Sequence, residues 1–163
     1  VLEKNHTPAE FFKTREGLYV WSSFSNNVSS KAKESKAGKV YEIASFEIKE
    51  SANDEQIEKE LPKKHLFSET DVCAIVADLI EKQPKGKKGV LLNNGYANLF
   101  YTASHVVFVD WDALDGEWGV GDWRRGDSWS GGGRVFSPAT DSYNLALALE
   151  FFDSCYILVR NFR

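Results

Sequence analysis

HVVFVDWDALDGEWGVGDWRRGDSWSGGGRVFS, residues 105–137, holds four of the five tryptophans and seven of the twelve glycines in this chain. Val106 to Trp111 is rich in β-branched and aromatic residues, the composition of a strand, and Trp118 to Trp123 reads as its return partner. Asp115-Gly116 lies between them and marks a hairpin, because glycine reaches positive φ at no steric cost. A two-residue turn there would set Trp111 opposite Val120, and a four-residue loop from Ala113 to Gly116 would set it opposite Trp118. In either register Val107, Val109, Trp111, Trp118 and Val120 share one face, since strand side chains alternate. That face is the expected core.

The other face of the hairpin carries Val106, Phe108, Asp110 and Asp112 on one strand and Gly119, Gly121 and Trp123 on the other. Two glycines beside large neighbours imply either a groove with aromatic walls or another group packed closely on the backbone. Strand glycines most often mark the second. Beyond the hairpin, Gly126 to Gly133 reads as a glycine- and serine-rich loop around Trp129, and Arg134 to Phe136 as a short strand.

Working outward, Gly89 to Leu92 and Tyr96 to Thr102 are expected to be strands joined through Asn94-Gly95. Residues 89–137 would then form an antiparallel β-meander packed with several helices, a single α+β domain over 1–163. The clearest helix is Glu69 to Lys82, where Val72, Cys73, Ile75, Val76, Leu79 and Ile80 make a wide apolar stripe. Ser68 and Asp71 supply its capping signal. Asn53 or Asp54 is expected to cap a second helix that Pro62 closes. Thr7-Pro8 opens a third, and Ser22 or Ser23 a fourth with the stripe Phe24, Val28, Ala32. Gly17 to Trp21 and Val40 to Lys49 read as strands. Tyr143 to Phe152, rich in Ala and Leu, reads as a helix, with a strand from Tyr156 to Val159.

Composition narrows the function classes. An apolar fraction of 42% with 13% aromatics argues against disorder. A net charge of −4 gives no general attraction to nucleic acid or anionic lipid. No apolar run is long enough for a transmembrane helix, and no stretch of signal-peptide type precedes Gly17. A cytoplasmic protein with reduced thiols is therefore expected. Cys73, inside the helical stripe, is expected to be a buried inert thiol.

The residues that could carry chemistry are few. Asp110, Asp112, Asp115 and Glu117 invite a metal reading, but a calcium loop counted from Asp110 fails at Leu114, Asp115 and Gly121. No metal or cofactor is expected. His6, His65 and His105 lack a nucleophile in a recognisable elbow, so no catalytic residue is assigned. Six acids face three arginines between Tyr101 and Ser137, the wrong sign for gathering phosphates. Trp123, Arg124, Arg125 and Trp129 are of the types enriched at binding hot spots. They are the candidate contact residues for another protein, unless the tryptophans are simply core.

The phrases FFKTREGLYVWSSF at 11–24, LLNNGYANLFY at 91–101, EWGVGDW at 117–123 and RVFSP at 134–138 resemble short uncharacterised proteins of bacterial and phage or prophage genomes. The resemblance spans about half the chain and implies no functional residue. It implies a small accessory protein that acts by binding, such as an inhibitor, an immunity protein or an anti-defence factor. The alternatives from other classes are a metal-dependent hydrolase using Asp110 and Asp112, and a single-stranded nucleic-acid binder.

Overall fold

A computed structural model describes residues 1–139. The helix and strand expected at 143–152 and 156–159, and Cys155, lie outside the described residues. The hairpin at the centre forms as strands β5 (His105–Asp112) and β6 (Glu117–Arg124), with Trp111 opposite Trp118. The four-residue loop is therefore the one adopted. Asp112 sets it by accepting from the backbone N–H groups of Leu114 (2.8 Å) and Asp115 (3.2 Å), and Gly116 supplies φ +68°.

Helix boundaries follow local capping chemistry. The helix α4 (Glu69–Lys82) begins where the Ser68 hydroxyl accepts from the Asp71 N–H at 3.1 Å. The helix α3 (Asp54–Glu60) has a reciprocal box: Asn53 accepts from the Gln56 N–H and Gln56 accepts from the Asn53 N–H, both at 2.9 Å. The helix α1 (Pro8–Phe11) follows Thr7, with proline in the first turn and no side-chain cap. The helix α2 (Ser22–Asn27) departs from expectation, because Trp21 rather than a serine holds the capping position. Trp21 is still tied to the sheet through its N–H to the Val120 carbonyl, so the chain turns directly from strand to helix. Of its predicted stripe only Phe24 lies in the helix, which ends at Asn27; Val28 and Ala32 still face the core, Val28 fully buried, from the tight turn that follows.

The sheet corrects the expected meander. Six strands lie in the order β1-β6-β5-β4-β8-β2, with β1 (Leu18–Val20), β2 (Ile43–Glu47), β4 (Asn98–Tyr101) and β8 (Arg134–Pro138) beside the central hairpin. β1 runs parallel to β6, and β8 parallel to β4, so the sheet is mixed. Only β4, β5 and β6 keep the antiparallel order of the meander. Residues 89–92 form no strand. Gly95 does turn at φ +85°, yet the backbone that should have paired is taken by two side-chain amides. Gln83 bonds the N–H and carbonyl of Leu91, and Asn98 those of Leu92. A buried amide presents the same donor and acceptor as a peptide, so it replaces a strand partner.

The expected 126–133 loop is likewise interrupted. Ser128–Trp129 (β7) pairs with Ala52–Asn53 (β3) as a small second sheet. The predicted core face is correct. Val107, Val109, Trp118 and Val120 are buried against the α4 stripe and Phe12, Phe24 and Val28, with Trp111 packed at the margin. The indole N–H of Trp118 reaches the carbonyl of Gln83 at the end of α4 (2.9 Å). The opposite face is covered differently along its width. Over β4, β5 and β8, Leu99, Tyr101, Val106 and Val135 pack with Ile48, Ile57 and Trp129, beneath α3 and the small sheet. Over β1 and β6, among the described residues, large aromatic side chains meet solvent.

Candidate binding face

The open half of that face is assembled by the register. Tyr19 pairs with Gly119, Phe108 with Gly121, Val106 with Trp123, and Asp110 with Gly119, and paired residues point to the same side. Tyr19, Trp21, Phe108 and Trp123 therefore form one row across β1, β6 and β5. Tyr19 meets Trp21 edge to face at 4.8 Å between ring centroids, Trp21 meets Phe108 at 5.2 Å, and Phe108 stacks on Trp123 at 6.1 Å. Tyr19, Trp21 and Trp123 remain 41%, 37% and 53% exposed.

The two strand glycines let the Phe108 and Trp21 rings approach the backbone closely. A Cβ on Gly121 would sit 2.3 Å from the Phe108 ring. One on Gly119 would sit 2.5 Å from an Asp110 carboxylate oxygen and 2.9 Å from the Trp21 ring. Close packing on bare backbone is thus the role of both. The outer edge of β1 is closed. Leu18 exchanges backbone hydrogen bonds with Arg15, and the Thr14 hydroxyl bonds both the N–H and the carbonyl of Val20. An edge whose outward groups are satisfied offers no template for strand addition, so this region can engage a partner only through its side-chain face.

The four candidate residues divide. Trp123 is exposed on the ring row, and Arg124 is exposed but points to the other side of β6 by alternation. Arg125 and Trp129 have internal partners. The Trp129 indole donates to Asp54 at 2.7 Å. Arg125 pairs with Glu58 at 3.0 Å and donates to the Thr102 carbonyl. Asp54 is the node of this covered region: buried at the start of α3, it also accepts from the Tyr101 hydroxyl (2.7 Å) and the N–H groups of Gly126 (2.8 Å) and Asp127 (3.0 Å). Burial and the adjacent Asp54 push the Tyr101 hydroxyl well above the usual tyrosine range. His65 joins the same network, bonded to Glu58 and to the Pro62 carbonyl, both at 2.8 Å.

The acidic pair behaves as two separate residues. Asp112 caps the hairpin loop, whereas Asp110 lies on the ring row, its carboxyl pushed above the ordinary range by burial and then by Asp112. Among the described residues no group of three or more His, Cys, Asp or Glu is arranged to hold a metal ion. The Cys73 thiol is buried and pushed up to about 12, chiefly by desolvation, so it is protonated at neutral pH. His105 contacts Ser104 at 2.8 Å, but its other nitrogen is 3.7 Å from buried Asp122, beyond hydrogen-bond length. A groove of about 460 Å³ lies between β2 and α3, lined by Phe46, Ile48, Ile57 and Leu61 under a rim of mixed charge.

Tyr19, Trp21 and Phe108 went unassigned by sequence reasoning. For Phe108 a signal existed, since alternation already placed it beside Gly119, Gly121 and Trp123. Tyr19 and Trp21 arrive by parallel pairing across about a hundred residues, which no local pattern announces. No protein-family model matches the chain, and neither the curated proteins nor the solved structures contain a match. Among the described residues no helix is long and apolar enough to cross a membrane.

Proposed function

We propose that this protein is a protein-binding module of the accessory type, acting by occupation of a surface rather than by catalysis. The observation that carries this reading is the continuous row of Tyr19, Trp21, Phe108 and Trp123, in which Tyr19, Trp21 and Trp123 are exposed and Phe108 joins them to the covered cluster. Exposed aromatic clusters of this kind are uncommon on surfaces that bind nothing, and Trp and Tyr supply most interface hot spots. Trp123 is the central contact residue; Arg124, on the other side of β6, is not part of this face. Arg125 and Trp129 serve the same surface indirectly, by holding the 125–129 loop against α3.

Trp123→Ala tests the reading. As an exposed substitution it should change stability by no more than about 0.5 kcal/mol in a denaturant titration. A partner captured from a host lysate by the wild-type chain should be lost with this variant. Equal capture by both chains would defeat the proposal.

A further inference from the structure

The open face carries a charge pattern that selects its occupant. Asp110, Asp112 and Glu117 lie on the same side of β5 and β6 as Phe108 and Trp123, by the register of the hairpin. No lysine or arginine occupies that side of β1, β5 or β6. The ion pairs of the described residues all lie elsewhere. Asp112 is occupied by the loop N–H groups. Asp110 receives no hydrogen bond from another described residue, and it lies half-buried between Gly119 and the Trp21 ring. An uncompensated carboxylate flanked by exposed aromatic rings is an arrangement that attracts a cation from two directions, by charge and by the ring quadrupole.

We propose that this face seats a cationic segment of a partner protein, with an Arg or Lys side chain lying on the Trp21 and Trp123 rings and its charged end at Asp110. Arginine fits best, because its planar guanidinium both stacks on rings and bonds a carboxylate. The closed β1 edge directs recognition to side chains. A nucleic acid would bring phosphates onto three carboxylates. A second copy docked by two-fold symmetry would oppose those same carboxylates to themselves. This inference rests on the protein-binding reading above and names the partner's chemistry.

The test is a displayed library of random peptides selected on the full chain. The selected peptides are then titrated by fluorescence anisotropy against wild type, Trp123→Ala and Asp110→Asn. The expected result is a set of peptides sharing an Arg or Lys, each weakened roughly tenfold or more by either substitution. Added salt should weaken the wild-type complex more than the Asp110→Asn complex. Peptides that depend on Trp123 but carry no cation and ignore Asp110→Asn would overturn the cation inference and leave the binding face standing. A library yielding nothing that depends on Trp123 would overturn both. Self-association in sedimentation that Trp123→Ala abolishes would also overturn it, by making the occupant a second copy.

Discussion

One face of the sheet carries two pairings of an aspartate with tryptophan, and they have opposite fates. At the covered end Asp54 receives four hydrogen bonds, one from the Trp129 indole, and the 125–129 loop closes over it. At the open end Asp110 receives none from another residue, and the Trp21 and Trp123 rings stay exposed. Residue types do not distinguish the two ends. The difference is whether each polar group is answered from within the chain. A buried group fully answered contributes to stability, and a group left unanswered is available to a ligand at a cost to the fold.

The contrast can be tested from its strongest consequence downward. Asp54→Ala strands four donors, the Tyr101 hydroxyl buried and the other three part-buried, and urea denaturation should show a loss of about 3 kcal/mol. A loss under 1 kcal/mol would mean that the covered end is not held by this node. Gly121→Ala should cost about 1–3 kcal/mol, since the added methyl must displace the Phe108 ring. The same variant should weaken partner binding by disturbing the ring row, and a neutral outcome on both would show the row to be loosely packed. Trp129→Phe removes the indole N–H to Asp54 together with part of the ring packed beside Phe108, for a loss of about 1–2 kcal/mol, with a smaller effect on binding than Trp123→Ala.

Asp110→Asn should have the smallest effect, and its sign is reversed. Burial and Asp112 raise the Asp110 carboxyl above its unfolded value, so the folded state holds the proton more tightly. The resulting penalty is absent below the ordinary carboxylate range and grows as pH rises through the raised value. The variant should therefore melt slightly higher than wild type at pH 7, with the gap closing in acid. A lower melting temperature at pH 7 would show that Asp110 is answered after all.

Much of the covered architecture was legible beforehand, and for local reasons. The α4 stripe, the caps at Ser68 and Asn53, the Asp115-Gly116 loop and the hairpin's core face all depend on residues within a few positions of one another. The strand expected at 89–92 failed because Gln83 and Asn98, both buried, supply amides where a strand was anticipated. Their side chains look like ordinary polar residues in the sequence. The candidate contacts were half separable: no local pattern marks Trp129 as the bonded tryptophan, because its partner Asp54 is distant in the chain.

The sequence by itself determined that a tryptophan-bearing hairpin orders the chain, which of its faces is apolar, and that a long helix lies against a sheet. Turn chemistry and hydrophobic period are short-range, and each segment carries them whole. Tertiary structure decided the parallel placement of β1 and β8, and that Asp54 rather than Asp110 finds internal donors. Those outcomes depend on groups distant in the chain, where packing and hydrogen-bond satisfaction over the whole fold set the result.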